Sequence, residues 1–297
     1  MRKNRLTFIL LSILFLGTIS VFAGNIYVNE NGIVSKHFAS DGSPGLTQNF
    51  TTESGVVVVK DGLVINILNE SSENETSNFP SEGLVAYYKL DETSGTVIDS
   101  TGINNGTNNG ATPNVAGKIN TAYDFDGDND YINIPDTDDS FDTDTITFNF
   151  WLKDGFTQTT DSSARLFSNS NTANILSSGY GVARYASTGQ LDVFIGGYRY
   201  RTNSAISSSG WHMITVVFNG PTDVKIYEDA SEMAKSTIIT GSSYVSANSD
   251  LQIAQQPYYP ANYMYGGIID EVGIWSRALN STEVSELYNS GDGLSYS

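Results

Sequence analysis

The densest run of side chains able to do chemistry is Asp124-Phe125-Asp126-Gly127-Asp128-Asn129-Asp130-Tyr131. Carboxylates such as Asp126, Asp128 and Asp130 at alternate positions can converge on a hard cation like calcium, which gathers roughly six to eight oxygens at about 2.3–2.6 Å. The run is not an EF-hand loop. Counted from Asp126, Tyr131 stands where that loop needs Gly, and Thr137 where it needs Glu. A glycine-containing hairpin turn with solvated acids is the alternative. Asp270 is more informative. Strand alternation puts Ile268, Asp270, Val272 and Ile274 on one face. A carboxylate on an apolar face is costly unless it is paired, hydrogen-bonded or on a metal. A cation or a set of backbone hydrogen bonds would satisfy it equally.

Two aromatic stretches could contact a sugar or a protein. In Tyr198-Arg199-Tyr200-Arg201 the two tyrosines share one strand face and the two arginines the other. Residues 257–265 supply Tyr258, Tyr259, Tyr263 and Tyr265. A tyrosine ring combines a flat apolar face with a hydroxyl, although such rings also pack readily on sheets. His212 opens a strand with no recognisable nucleophile motif for it to serve, so a structural role is expected. His37 has no identifiable partners. Asn49, Asn69, Asn74 and Asn105 begin Asn-x-Ser/Thr sequons and are glycosylation candidates on an exported chain.

Composition narrows the classes. The 297 residues contain no Cys and two His, which excludes a disulfide framework, a thiolate metal site and a three-His zinc centre. A net charge of −18 argues against a nucleic-acid partner, which requires a basic face.

These residues need elements to position them. Residues 1–23 have the charged start, apolar core and small-residue end of a signal peptide. The expectation is a secreted or cell-surface protein whose mature chain starts at Gly24. An uncleaved anchor is the alternative, and the only membrane contact expected. Residues 24–69 read as a small β-rich unit with hairpins at Asn31-Gly32 and Asp61-Gly62. Residues 70–82 read as a polar linker and 292–297 as a polar tail. Between them, from 83 to 291, short apolar runs alternate with turn residues, the pattern of an antiparallel sandwich or barrel. In 145–153, Ile146, Phe148, Phe150 and Leu152 share a face. Asn280 with Glu283 forms a capping box for one short helix, expected to close one end of the sandwich.

The stretches GLVAYYKLDETSGTVIDSTG, GKINTAYDFDGDNDYINIPD, ITFNFWLK, GWHMITVVFNG and YGGIIDEVGIWSRALNSTEVSELY follow one another in order. Through them, residues 83–291 resemble the LamG-like jellyroll domain of the concanavalin A-like lectin/glucanase superfamily. The resemblance implies an all-β, two-sheet antiparallel jelly roll. It implies an extracellular module that binds carbohydrate or protein, often with a structural calcium. It places that cation between the first and last strands, where Asp91, Glu92 and Asp99 would join Asp270. Asp229-Ala230 departs from the family's usual Asp-Gly turn. Glucanases of the superfamily use paired carboxylates, and no Glu-x-Asp-x-x-Glu motif occurs here. The sequence therefore describes an exported, non-enzymatic binding module for a glycan or an extracellular protein, with calcium. A structural subunit of a surface layer, fibre or virion appendage is the alternative, and a glycoside hydrolase the second alternative.

Overall fold

The alternation in 145–153 becomes a strand whose two faces serve two different cores. Ile146, Phe148, Phe150 and Leu152 enter one cluster of buried side chains, and Trp151 enters another. The computed structural model describes residues 79–297, except 155–162, 171–177, 186, 242 and 258–262, together with five strand backbones nearer the N-terminus. The chain divides into two compact units, Met1–Glu75 and Thr76–Ser297. In the first unit, β1 (Ile26–Val28), β2 (Val34–Lys36) and β3 (Asn49–Phe50) form an antiparallel sheet. There too β4 (Val56–Val59) pairs with β5 (Leu63–Asn66). The residues read as the signal peptide, and most of those read as the linker, lie outside the described residues. Among the described residues no helix is long and apolar enough to cross a membrane.

The second unit begins with β6 (Leu84–Tyr88), β7 (Thr96–Val97), β8 (Gly106–Asn109), β9 (Thr112–Ala116), β10 (Thr121–Asp126) and β11 (Tyr131–Ile134). The long β12 (Thr145–Asp154) follows, then β13 (Ser163–Ser168), β14 (Tyr180–Tyr185), β15 (Leu191–Ile195) and β16 (Tyr198–Thr202). The remaining strands are β17 (Trp211–Asn219), β18 (Val224–Glu228), β19 (Ser231–Glu232), β20 (Lys235–Ile239), β21 (Leu251–Ile253) and β22 (Gly266–Trp275), before the helix α1 (Ser281–Tyr288). They make two antiparallel sheets. The first runs β19-β18-β17-β12-β22-β10-β9, with β6 also on β22, and the second runs β20-β16-β15-β14-β13-β21-β11-β8-β7. Their facing sides enclose the main core, in which Phe148 meets Phe167 at 5.3 Å and Tyr180 at 5.3 Å between ring centroids. This is a jelly-roll sandwich.

The helix starts where the capping box puts it. Asn280 Oδ1 accepts from the amides of Thr282 (2.9 Å) and Glu283 (3.1 Å), and Glu283 Oε2 accepts from the Asn280 amide at 2.9 Å. Its place differs from the expectation. It does not close an end of the sandwich but lies over the outer side of the first sheet. Val284 and Leu287 are buried there with Tyr87, Trp151, Met213, Val217 and Trp275. The Trp151 ring stacks on Tyr288 at 5.8 Å. The unit's boundaries differ as well. Phe79, inside the stretch read as linker, packs on Trp275 at 5.9 Å. Tyr296, inside the stretch read as a tail, meets Phe79 at 5.4 Å and Tyr87 at 5.8 Å. Isolated apolar residues in polar stretches carry no period, so alternation could not locate these contacts.

Trp275 centres this second core, fully buried, with its indole nitrogen bonded to the Pro80 carbonyl. Trp275→Ala is expected to destabilise the protein by about 3–5 kcal/mol in denaturant unfolding. Ile238→Ala, at a side chain 48% exposed, should change it by less than about 0.5 kcal/mol.

Candidate functional site

Asp270 is buried as anticipated, but its face is not. Along β22 the pairing with β12 slips between Asn149 and Trp151, so that Glu271 and Val272 stand opposite the single residue Phe150. Glu271 has φ +50°, and the resulting bulge reverses the alternation. Ile269, Val272 and Ile274 enter the main core, and Asp270 turns away from it. Its Oδ2 accepts from the amides of Lys118 (2.7 Å) and Ile119 (3.0 Å), and its Oδ1 from the amide of Glu271 (2.9 Å). The carboxylate thus holds the β9–β10 turn. Gly117 permits the approach, because a Cβ there would stand 2.8 Å from Asp270 Oδ2 and 2.6 Å from Thr121 O. Burial pushes Asp270 up to about 8 against the pull of those amides.

Among the described residues the other acids proposed for a cation do not converge with Asp270 on one point. Asp91 accepts from the Thr121 amide at 2.9 Å, and Glu92 from the Ile98 amide at 2.8 Å. Asp99 is buried and organises its own loop, accepting from the amides of Tyr87, Thr101 and Asn104, each at 2.9 Å. Asp126 closes its turn by accepting from Asp128 (2.8 Å) and Asn129 (3.2 Å), which holds it below the usual carboxylate range. Asp130 accepts from the Asp126 amide at 3.0 Å, and Asp128 is exposed. Backbone amides occupy most of these carboxylates, which the acidic spacing alone could not reveal.

A different acidic group converges. Carboxylate oxygens of Asp136, Asp139 and Asp142, in the β11–β12 turn, all lie within 4.8 Å of one another. Asp136 Oδ2 and both Asp142 oxygens are buried and reach no hydrogen-bond donor among the described residues. Burial pushes Asp136 up to about 6, reinforced by its acidic neighbours. In the sequence this turn looks like any solvated acidic loop.

The tyrosine–arginine segment on β16 splits as its alternation requires. Tyr198 and Tyr200 stack at 6.0 Å and pack against the main core, and the Tyr200 hydroxyl donates to the Pro221 carbonyl at 2.8 Å. Their rings thus serve the core side of the sheet, Tyr200 buried and Tyr198 half-buried. Tyr265 is likewise fully buried in the core, and Tyr258 and Tyr259 lie outside the described residues. Arg199 and Arg201 point outward and grip Asp192 of β15. Arg201 is bidentate, with Nε 2.6 Å from Oδ1 and Nη2 2.8 Å from Oδ2, and Arg199 Nη2 reaches Oδ2. Burial would raise Asp192, but the two guanidinium groups hold it low.

Cross-strand pairing extends this outer face to Arg165 on β13, through Ala183 and Asp192. The Arg165 guanidinium lies 5.0 Å from the Phe194 ring centre and 4.9 Å from that of Tyr263. Arg199 lies 5.5 Å from Phe194, and Arg201 3.8 Å from Tyr185. Sequence reasoning named Arg199, Arg201 and Tyr263 but missed Arg165, Asp192 and Phe194. An arginine beside Ala164 and Leu166 in an otherwise apolar strand was the available signal.

His212 is structural in its contacts. Its Nδ1 lies 2.7 Å from Asp229 Oδ2 and its Nε2 2.9 Å from the Ser209 carbonyl. Both partners can only accept, so the doubly protonated ring suits them. Burial would lower its pKa, but the Asp229 carboxylate outweighs this and raises it. Asp229 and Ala230 both have left-handed φ, +50° and +61°, and for an alanine this costs about 1–2 kcal/mol. Of the sequon residues Asn105 is exposed, Asn49 lies on β3, and Asn69 and Asn74 lie outside the described residues. His37 lies outside them too.

A family model described as the concanavalin A-like lectin/glucanases superfamily, laminin G type, matches residues 126–285. No curated protein sequence matches the chain. Solved structures show the same fold at low identity. Domain 4 of AbnA, a GH43 extracellular arabinanase from Geobacillus stearothermophilus determined in complex with arabinotriose, is 22% identical with TM-score 0.52, over 68% of this chain and 97% of that one. A Trypanosoma rangeli sialidase is 13% identical with TM-score 0.54, over 72% of this chain and 34% of that one. A structure concerned with entry of botulinum neurotoxin type C through two ganglioside molecules is 10% identical with TM-score 0.52, over 71% of this chain and 52% of that one.

The bulge also carries a pH signature. Glu271 accepts from the hydroxyls of Tyr87 and Ser295, its Oε1 is buried without a partner, and burial pushes it up to about 7 from an ordinary 4.5. The folded state therefore binds this proton more tightly than the unfolded chain. The resulting stability is complete below about pH 4.5 and is lost as the pH rises through 7. The melting temperature is expected to fall between pH 5 and pH 8.5. Glu271→Gln, which cannot ionise, should have a flatter profile in the same thermal scans.

Proposed function

This chain belongs to the concanavalin A-like lectin/glucanase superfamily, and from that premise we propose that it is an exported, non-enzymatic module that binds carbohydrate on the outer face of its second sheet. One observation carries the reading. On that face guanidinium groups lie over aromatic rings, around a buried Asp192 that fixes two of them. Fixed planar donors beside ring faces suit a sugar, which presents hydroxyls at its rim and C–H groups on its faces. On the first sheet α1 and the C-terminal residues bury the outer side, whereas on the second the Arg199 and Arg201 side chains remain partly exposed, 23% and 19%. A domain of the same fold holding arabinotriose supports the ligand class. The full chain should bind members of an immobilised panel of neutral and acidic glycans, with competition by the soluble sugar. Arg201→Ala should weaken that binding at least about tenfold, the scale of a lost charged hydrogen bond. No binding to any glycan, with ordered self-assembly instead, would favour the structural subunit. Release of reducing ends would favour the hydrolase.

Calcium belongs to the same proposal, moved to the β11–β12 turn. Asp136, Asp139 and Asp142 suit a hard cation, since three of their buried oxygens lack donors and hard cations bind oxygen. The ion would neutralise a turn in which like charges crowd. A cation that binds only the folded state stabilises it by about 2.7 kcal/mol at a hundredfold excess over Kd. Calcium is expected to raise the melting temperature and a chelator to lower it. Asp142→Asn should abolish the difference, and Asp128→Asn should preserve it. Identical melting of the unaltered protein in calcium and in chelator would remove the ion from this reading.

A further inference from the structure

Arg165 is 5% exposed, and its positive charge meets no carboxylate within ion-pair distance among the described residues. Its Nε donates to Gln256 Oε1 at 3.1 Å and its Nη1 to the Ser163 carbonyl at 3.1 Å, both neutral acceptors. The rings of Phe194 and Tyr263 lie 5.0 and 4.9 Å from its centre, and Nη2 reaches no acceptor among the described residues. Asp192 accepts instead from Arg199 and Arg201, and the Nε of Arg199 is buried without an acceptor. Among the described residues this face therefore holds three guanidinium groups and one carboxylate.

A buried charge with only neutral partners is expensive, and breaking or omitting a buried partner typically costs several kcal/mol. Burial already lowers the Arg165 pKa, to about 10, so it remains fully charged at neutral pH. A group kept charged, desolvated and short of one anion is prepared for an anion that arrives from outside. Guanidinium planes also favour carboxylates, through paired N–H donors in a fixed fork. We propose that the ligand bound on this face is an acidic glycan, recognised through a sugar carboxylate that reaches Arg165 and Arg199. The inference rests on the carbohydrate-binding reading above and narrows it to one substrate class.

The net charge of the chain makes the inference discriminating. At −18 the protein as a whole repels polyanions, so general electrostatics oppose such binding and only a local site can favour it. The test uses the full chain, polygalacturonate, and the same polymer with its carboxylates reduced to primary alcohols, compared by calorimetry. The acidic polymer is expected to bind at least about thirtyfold more tightly and to weaken with added salt. Arg165→Lys, which keeps the charge but loses the fork, should weaken it at least about tenfold. Arg199→Gln, at a more exposed side chain, should do the same and guards against a folding defect at Arg165. Lys225→Gln on the first sheet should leave binding unchanged, with melting temperatures recorded for every variant. Equal binding of the acidic and reduced polymers would overturn this inference and leave the carbohydrate reading standing. No binding to either polymer, nor to any member of the wider panel, would overturn both.

Discussion

One left-handed residue in a central strand sets the arrangement of the first sheet. β22 is flanked on one side by β12 and on the other by β10 and β6 in succession, and the bulge at Glu271 lies where that second edge changes partner. Without it, Asp270 would share a face with Ile268, Val272 and Ile274 and enter the main core. With it, both acids turn to the other side, where amides of the β9–β10 turn satisfy one and the hydroxyls of Tyr87 and Ser295 satisfy the other. The strain of a positive φ at a non-glycine residue is the local cost. The gain is that the hairpin, the first strand and the C-terminal residues are all fastened to one strand.

The two-sheet fold was legible because strand alternation reports burial directly. The 145–153 stretch, the other alternating runs and the capping box at Asn280 each follow a local rule that the structure obeys. The site was less legible for the same reason. A bulge reverses the period, and nothing in Asp270-Glu271-Val272 announces a left-handed glutamate, so a correct rule put Asp270 on the incorrect face. Tyr198 and Tyr200 were attractive as aromatic pairs, yet alternation on β16 assigns them and the arginines to opposite sides, and only one side can face a ligand. Asp99 and Asp126 show the corresponding limit for acids. A turn that needs its amides satisfied and a turn that binds a cation both select closely spaced aspartates.

The two sheets are treated unequally, and the proposed site lies on the second. The first is apolar on both sides, since Trp151, Met213, Val217 and Trp275 face α1 while their strand neighbours face the main core. The second is apolar only towards the first. Its outer side carries Arg165, Asp192, Phe194, Arg199 and Arg201, and among these Ala183 and Phe194 form only a minimal apolar cluster. A face meant purely for water would carry long, mobile side chains of mixed charge. A face meant for packing would carry aliphatic ones. This face does neither, because it immobilises charged planar groups by ring contacts and a shared carboxylate.

Immobilisation is what makes that choice functional in energetic terms. Ordering a free arginine side chain costs up to about 2 kcal/mol of rotamer entropy. Here Asp192 and the aromatic rings impose that cost during folding, before any ligand arrives. Among the described residues the carboxylate of this face, Asp192, is buried and paired directly with two arginines, and it reaches Arg165, two strands away, only through space. Stability alone would be served better by a second acid or an apolar residue at position 165, since replacing buried charge by apolar groups is often neutral or favourable. A strand that keeps arginine there accepts a less stable face in return for a preformed cationic one, and such a face gains from an anion that the described residues do not supply.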